Sequence, residues 1–192
     1  MAEVLLFHHI LGRTPGVVAL ADELRAAGHT VHAPDLYGGR TFTTIEDGAA
    51  FSKDVDLATP ADALAADLPA ELVYAGISSG VMHAQRLAQT RAGAAGAVLL
   101  EGCLPLTGQP WALGPWPDGV PVQIHGMDAD PIFAEEGDLD AAREIVATVG
   151  PSAELFLYPG DGHLFADRTL ASYDAAAAAL LTSRVVEFLD RL

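Results

Sequence analysis

The sequence predicts an α/β protein in which a parallel sheet is covered by helices on both faces. Six short apolar runs are spaced along the chain, each too short for a helix and most of them unbroken. Unbroken apolar strands are typical of a parallel sheet that is buried on both faces. Between them lie segments with the apolar period of about 3.6 residues that helices show. This alternation of strand and helix indicates a doubly wound sheet.

The six apolar runs are the predicted strands. They cover residues 4–8, 30–33, 72–75, 97–100, 120–124 and 155–158. The sequence shows no internal repeat, and a chain of 192 residues is long enough for one hydrophobic core. We therefore predict one domain, over residues 1–192.

Apolar spacing predicts helices after the first and the fifth strands. The first of these helices can end at Gly28, and its apolar face consists of Val17, Leu20, Ala21 and Leu24. The other can end at Gly150, and its apolar face consists of Leu139, Ala142, Ile145, Val146 and Val149.

Two more helices are predicted before the third strand and at the end of the chain. In the segment Thr59-Pro60-Ala61-Asp62, a capping threonine is followed by a first-turn proline and by an acid near the positive end of the helix. The last helix is predicted to begin near residue 173 and to bury Leu181, Val185, Phe188 and Leu189.

Two stretches have no apolar period and are predicted to be loops. They cover residues 37–44 and residues 103–119, and the second is rich in proline and glycine. Loops of this length in a compact domain tend to be functional. The second loop carries Trp111 and Trp116, which either line an apolar pocket or anchor the loop.

The balance of charge makes nucleic acid an unexpected partner. The chain has 26 acidic and 10 basic residues, and a net charge of −16 repels polyanions. Its single cysteine, Cys103, allows no disulfide within the chain. The apolar run near the amino terminus is too short for an export signal or a membrane span, and no basic region precedes it. We therefore expect a cytoplasmic protein that has no membrane contact.

The stretch YAGISSGVM, residues 74–82, has the pattern Gly-x-Ser-x-Gly where a predicted strand gives way to a helical pattern. A serine on a sharp turn from strand to helix has a strained backbone, which requires very small neighbours two residues to each side. Gly76 and Gly80 are these neighbours, so Ser78 is the candidate nucleophile. The amide of Ser79 then lies at the positive end of the following helix, where it can stabilise an oxyanion.

A serine nucleophile needs a base and an acid that orients the base. In hydrolases with this turn, the order along the chain is serine, acid, histidine. The fifth strand leads into HGMDADP and the sixth into PGDGHLF, so Asp130 and His163 are the candidate partners of Ser78. Asp128 is an alternative acid, and Glu101, at the end of the fourth strand, is a further one.

With these three residues in this order, the chain resembles an α/β-hydrolase. Five stretches are similar to the dienelactone hydrolase family, namely HHILGRTPG, GHTVHAPDLYGGRTF, GISSG, HGMDADPIF and YPGDGHLFADR. The resemblance implies the α/β-hydrolase fold, a mainly parallel sheet of about six strands, a solvent-accessible site and the hydrolysis of esters or lactones.

The chain also departs from the pattern of that family. The family's founding activity uses a cysteine nucleophile, whereas Ser78 occupies that position here. The family's enol-lactone enzymes have a glutamate in the first loop, at the position of His9. They bind a substrate carboxylate with two arginines, of which Arg40 can match one, but Asp167 stands at the position of the other. The resemblance therefore does not extend to dienelactone as the substrate.

The resemblance extends to residues that contact the substrate. The loop after the first strand commonly donates the second oxyanion amide, which is that of Ile10 here, beside the amide of Ser79. We include Arg40, Tyr37, His9 and Trp111 among the candidate substrate-binding residues.

These observations together predict a serine hydrolase that cleaves small carboxylic esters or lactones. We expect no cofactor, and we expect no metal site because the sequence has neither H-E-x-x-H nor clustered cysteines. The expected partner is a small molecule, and the chain is expected to be a monomer or a homodimer. Two alternatives are a hydrolase-like protein that binds a small molecule without turning it over, and an acyltransferase that uses the same three residues.

Overall fold

A computed structural model describes all 192 residues of the chain. Its strands are β1 (Glu3–Phe7), β2 (Thr30–His32), β3 (Val73–Ile77), β4 (Gly96–Leu100), β5 (Val122–Met127) and β6 (Ala153–Tyr158). Its helices are α1 (Pro15–Ala26), α2 (Ile45–Ser52), α3 (Ala58–Ala66), α4 (Val81–Thr90), α5 (Asp138–Val149) and α6 (Ala175–Asp190). All six predicted strands are present, with ends that differ by at most three residues.

The strands form one parallel sheet in the order β2-β1-β3-β4-β5-β6. The chain moves from β1 outward to β2 and then returns to place β3 on the other side of β1. Ligands of open α/β sheets bind at such a switch point, outside the carboxyl ends of the strands. The loops after β1 and β3 meet there.

The sheet separates two hydrophobic clusters, as expected for strands buried on both faces. One cluster contains side chains of α3, α4 and α5, and the other contains side chains of α1 and α6. Four side chains predicted to face the core from the last helix are buried: Leu181, Val185, Phe188 and Leu189. The predicted fold class is thus confirmed.

The start of α3 differs from the prediction. Thr59 is not the N-cap, because the helix begins at Ala58 and Thr59 lies inside its first turn. The carboxylate of Asp56 accepts the N–H groups of Ala58 and Thr59 instead, at 3.0 and 3.1 Å. An acid before the helix therefore caps its first amides, and the helix begins two residues earlier than a cap at Thr59 predicts.

Helix α2 was not predicted from the sequence. It lies directly after the first predicted loop, and Thr44 caps it by accepting the N–H of Asp47 at 3.2 Å. Only Gly48 of this helix is buried, so the sequence has no apolar period to indicate it. None of the helices has the length and hydropathy that a membrane span requires.

Candidate functional site

Ser78 stands on the turn between β3 and α4 with a φ of +49°, a left-handed backbone angle that is uncommon for a residue with a side chain. A Cβ atom on Gly76 would lie 2.5 Å from the carbonyl of Gly80, and one on Gly80 would lie 2.5 Å from the carbonyl oxygen of Phe7. Both positions therefore exclude any side chain. The turn has the strained form that the Gly-x-Ser-x-Gly pattern predicts.

The structure brings Ser78, His163 and Asp130 together from three different loops. The Ser78 hydroxyl lies 2.9 Å from Nε2 of His163, and Nδ1 of His163 lies 2.7 Å from a carboxylate oxygen of Asp130. A carboxylate accepts, so Nδ1–H donates to Asp130 and Nε2 is left to accept the hydroxyl proton. Asp128 is exposed and accepts the N–H of Gly160 at 3.1 Å, so it does not contact His163.

Asp130 is fully buried, and both of its carboxylate oxygens have hydrogen-bond partners. Its second carboxylate oxygen accepts the N–H of Ile132 at 2.9 Å. Asp130 itself lies three residues after the end of β5. A buried carboxylate held in this way fixes both the ring orientation and the tautomer of the histidine that it contacts.

The charges around His163 favour its protonated form. Burial alone lowers the pKa of this imidazole, but the hydrogen bond to Asp130 and the charges of Glu101, Asp130 and Asp138 outweigh burial and raise the pKa above its ordinary value. The site thus contains a histidine that can take up a proton and hold it, which general base catalysis requires.

Glu101 follows β4 and lies beside this array as a second buried carboxylate. Its backbone has a φ of +55°, and one of its carboxylate oxygens accepts the N–H groups of Leu164 and Phe165. Glu101 thereby holds the segment that directly follows His163. Burial raises the pKa of this carboxyl to about 7, although the charge of His163 opposes the shift.

Two backbone amides, those of Ile10 and Ser79, were predicted to bind an oxyanion. Ile10 and Ser79 line the same cavity as the Ser78 hydroxyl. The N–H of Ile10 donates to no backbone carbonyl and to no side chain. Helix α2 supports this loop, because a Cβ on Gly48 would lie 2.2 Å from the carbonyl oxygen of Ile10.

Two cavities meet at Ile10, Ser79 and Met82, which line both of them. The first, which we call the acidic cavity, has a volume of about 390 Å³ and contains Ser78 and His163. Its acidic lining residues are Glu101, Glu136 and Asp138, and its apolar ones include Ile45, Val81, Leu104 and Ile132. The second, which we call the apolar cavity, has a volume of about 350 Å³. Seven of its thirteen lining residues are apolar, among them Leu36, Tyr37, Val55, Leu57 and Met82, and the others include His8, Asp56 and His83.

Tyr37 and Arg40 belong to one motif, but the structure separates them. Tyr37 is buried, with its ring edge against His8, and it lines the apolar cavity. Arg40 is exposed, and its guanidinium lies 5.2 Å from the centre of the Phe51 ring. It lines neither cavity, and the expectation that Arg40 binds the substrate stays a prediction that this position does not favour.

His9 also fails to reach the cavities, contrary to the prediction. Its ring is fully buried; Nε2 donates to Asp167 at 3.0 Å, and Nδ1 accepts the N–H of Leu11 at 3.2 Å. Both nitrogens are therefore used inside the protein. Asp167, at the position of the family's second arginine, is the buried partner of His9.

The two tryptophans of the second loop have different surroundings. Trp116 is buried and its indole N–H donates to the carbonyl of Val120 at 2.8 Å, so this residue anchors the loop. Trp111 is 60% exposed and lines a neighbouring depression together with Leu104 and Glu136. Trp111 does not line the cavity that contains Ser78, but the depression adjoins that cavity at Leu104 and Glu136, so its role in substrate binding stays a prediction.

Sequence reasoning missed several residues of the site. Ile45 and Met82 line the acidic cavity from α2 and α4. Asp138 lines it from the first residue of α5, and Glu136 lines it from the segment just before that helix. Asp138 occupies the first turn of α5 and accepts the N–H of Cys103 at 3.1 Å. The sequence signal for Glu136 and Asp138 was a pair of acids near the start of a predicted helix. Acids are common at this place in any helix, because they interact favourably with its positive end.

One group of three side chains has the spacing of metal ligands. Ligand atoms of Glu101, Asp130 and His163 lie within 4.8 Å of one another. Each has protein partners already: His163 bonds Ser78 and Asp130, and Glu101 accepts two backbone N–H groups. Oε1 of Glu101 is the one carboxylate oxygen of this cluster that has no hydrogen-bond partner.

The carboxyl-terminal part of the chain, residues 108–192, matches the model of the dienelactone hydrolase family. This part contains Asp130 and His163 but not Ser78. A comparison with curated proteins found no match.

Solved structures with the same fold match the chain along its whole length. A candidate dienelactone hydrolase of Klebsiella pneumoniae has a TM-score of 0.76 and 18% identity, with coverage of 100% of this chain and 88% of that one. A dienelactone hydrolase-like promiscuous phosphotriesterase from metagenomic libraries has a TM-score of 0.76, 18% identity and coverage of 100% and 87%. A candidate α/β-superfamily hydrolase of Xanthomonas campestris has a TM-score of 0.64, 21% identity and coverage of 100% of both chains. At these identities the likeness shows the fold.

Proposed function

We propose that this chain, which has the α/β-hydrolase fold and matches the dienelactone hydrolase family over residues 108–192, cleaves small carboxylic esters or lactones through an acyl-enzyme. The observation that carries the proposal is the continuous hydrogen-bonded array from Ser78 through His163 to Asp130, with distances of 2.9 and 2.7 Å. The residue types, their order and this geometry agree with nucleophilic catalysis by serine.

The reaction begins when the Ser78 oxygen attacks the carbonyl carbon of the substrate. Nε2 of His163 takes the hydroxyl proton, and Asp130 stabilises the imidazolium that forms. The carbonyl oxygen becomes an oxyanion and receives hydrogen bonds from the amides of Ile10 and Ser79. Loss of one such donor typically costs about 10²–10³ in rate.

The tetrahedral intermediate then collapses, and the bond to the leaving alkoxide breaks. The alkoxide takes the proton from Nε2 of His163, so the alcohol leaves neutral and the acyl group stays on Ser78. A water molecule next gives a proton to His163 and attacks the acyl carbon. Release of the acid returns the proton to the Ser78 oxygen, and no cofactor takes part in any step.

The two cavities supply separate places for the two parts of an ester. They meet beside Ser79, next to the nucleophile. Because His163 must protonate the leaving oxygen, the alcohol part belongs in the acidic cavity, which His163 lines. The apolar cavity is then left for the acyl chain. Its volume of about 350 Å³ suits a short apolar chain.

The test is the paired substitution of the two neighbouring serines. Ser78→Ala should reduce hydrolysis of 4-nitrophenyl acetate by about 10⁴-fold or more and abolish labelling by a fluorophosphonate probe. Ser79→Ala keeps its backbone amide and should keep most of the activity and the labelling.

Full activity of Ser78→Ala, or a wild-type protein that the probe never labels, would disprove the proposal. The second result, together with a ligand recovered unchanged, would favour the non-hydrolytic binder. Hydrolysis that gives way to an acyl-acceptor product when alcohols or amines are added would indicate an acyltransferase that uses the same residues.

A further inference from the structure

The acidic cavity has an unbalanced set of charges. Its lining includes Glu101, Glu136 and Asp138 but neither lysine nor arginine. Arg40, the arginine expected to bind an anion, lies outside it over the Phe51 ring. The cavity beside the nucleophile therefore has no cation of its own that could bind a carboxylate on a substrate.

An unpaired carboxylate oxygen provides an independent observation at the same place. Glu101 is 1% exposed, and its Oε1 atom has no hydrogen-bond partner, while the other oxygen accepts the N–H groups of Leu164 and Phe165. A buried polar atom without a partner is costly. Glu101 also lines the cavity, so a donor or a positive charge on a bound molecule would lower that cost.

Glu136 and Asp138 bring negative charge to the part of the cavity where the leaving group lies. The N–H of Cys103 holds the Asp138 carboxylate at 3.1 Å, and the charge of Asp138 contributes to the raised pKa of His163. His163 protonates the leaving oxygen, so Asp138 is a neighbour of the alcohol part of the substrate. Glu136 is exposed and takes part in none of the salt bridges, so no basic side chain neutralises its charge.

On the basis of the function proposed above, we propose that the acidic cavity selects esters whose alcohol part is cationic or neutral and disfavours esters whose alcohol part is anionic. Glu136 and Asp138 determine this selectivity through their charge, and Glu101, which also lines the cavity, adds an acceptor. This charge preference is opposite to that of the family's enol-lactone enzymes, which bind a substrate carboxylate with two arginines.

The test uses three acetate esters of similar shape whose alcohol parts have different charges. Acetylcholine is cationic, 3,3-dimethylbutyl acetate is its neutral counterpart and 2-sulfoethyl acetate is anionic. The value of kcat/KM is measured for each by titration of the released acid at low ionic strength. Ratios between esters are compared across variants, so that differences in intrinsic reactivity cancel.

In Glu136→Gln, the ratio of acetylcholine to the neutral ester should fall by about three- to tenfold. The ratio of the anionic to the neutral ester should rise by a similar factor. Added salt should reduce both changes, because the groups are near the surface. Glu135→Gln is the matched control: its side chain is also exposed but does not line the cavity, so both ratios should stay as in the wild type.

The outcomes separate this inference from the function on which it rests. Turnover that depends on Ser78 but shows the same ratios in Glu136→Gln as in the wild type would overturn the charge selectivity alone. A wild-type enzyme that prefers the sulfonate ester to its neutral counterpart would do the same. Turnover that is independent of Ser78 would overturn the proposed function, and this inference with it.

Discussion

The molecule contains two buried pairs of histidine and aspartate, and only one of them adjoins a nucleophile. His163 bonds Asp130 at 2.7 Å, and His9 bonds Asp167 at 3.0 Å. In each pair the histidine donates and the carboxylate accepts. The difference is the second ring nitrogen: that of His163 lies 2.9 Å from the Ser78 hydroxyl, whereas that of His9 accepts the N–H of Leu11.

A histidine paired with an acid can act as a general base only where its second ring nitrogen remains available to a substrate or nucleophile. The pair of His9 and Asp167 has a structural use instead. His9 precedes Ile10 in the loop after β1, and Asp167 lies in the same loop as His163. Their bond therefore connects the loop that contains Ile10 to the loop that contains His163.

The largest expected effect comes from replacing the two histidines in parallel. His163→Gln removes the proton acceptor and should lower kcat for 4-nitrophenyl acetate by about 10⁴-fold or more. His9→Gln should keep kcat within about tenfold in the folded protein. It should instead lower the free energy of unfolding by about 1–3 kcal/mol, because the buried N–H of Leu11 loses its acceptor. Equal losses of kcat in the two folded variants would contradict the division of roles.

Replacement of the two aspartates should likewise affect kcat to very different extents. Asp130→Asn leaves an amide that cannot stabilise the imidazolium, so kcat should fall by about 10³–10⁴-fold. In Asp167→Asn, kcat in the folded protein should change far less. Steady-state kinetics at a temperature where circular dichroism shows both variants folded would measure the difference. A small effect of Asp130→Asn would place the catalytic acid elsewhere, with Glu101 the next candidate.

Asp167→Asn should show its effect in stability, and that effect should depend on pH. Burial opposes ionisation of Asp167, but hydrogen bonds from His9, Thr14 and Thr169 hold its pKa well below the ordinary value of 3.8. A carboxyl with a lowered pKa in the folded state stabilises the protein above its unfolded pKa, and this stability is lost as the pH falls.

The difference in unfolding free energy between wild type and Asp167→Asn should therefore reach its maximum, about 1–3 kcal/mol, near neutral pH. It should shrink as the pH falls below about 4, where the unfolded chain takes up the proton. Urea unfolding at a series of pH values would measure it. A difference that grows toward acid pH would have the wrong sign and would reject this account of Asp167.

Sequence reasoning predicted the elements and residues that depend on local patterns. The six strands follow from unbroken apolar runs, and the turn at Ser78 follows from the glycines on either side. The strands lead directly into the loops that contain Asp130 and His163. Parallel strands bring their carboxyl ends to one edge, so the meeting of these residues follows from their place after strands.

Residues whose roles depend on loop paths or tertiary contacts could not be placed in this way. Arg40 follows Gly38 and Gly39, both with positive φ, and this turn directs the arginine to Phe51 rather than to the cavity. The role of His9 depends on Asp167, which lies 158 residues away in sequence. Helix α2 has a single buried residue, so packing on the loop of Ile10 determines its place, and no apolar period indicates it.

The smallest expected effect concerns a third carboxylate, that of Glu101, which touches neither histidine through a direct hydrogen bond. Its charge contributes to the raised pKa of His163, so Glu101→Gln should lower that pKa. The base acts in its neutral form, and kcat/KM rises as His163 loses its proton. The acidic limb of the pH profile should therefore move to lower pH in Glu101→Gln, with Glu135→Gln as a control that leaves it in place.

The same variant should also change the free energy of unfolding, with a pH dependence opposite in sign to that expected for Asp167→Asn. Burial raises the pKa of Glu101 from 4.5 to about 7, so the wild-type protein loses stability as the pH rises between these values. Glutamine does not titrate, and its N–H₂ group offers a donor where Oε1 has no partner. Glu101→Gln should therefore gain stability relative to the wild type as the pH rises from about 5 to about 8. If the pH profile of kcat/KM and the pH dependence of stability both coincided with those of the wild type, the charge of Glu101 would have no effect on the pKa of His163.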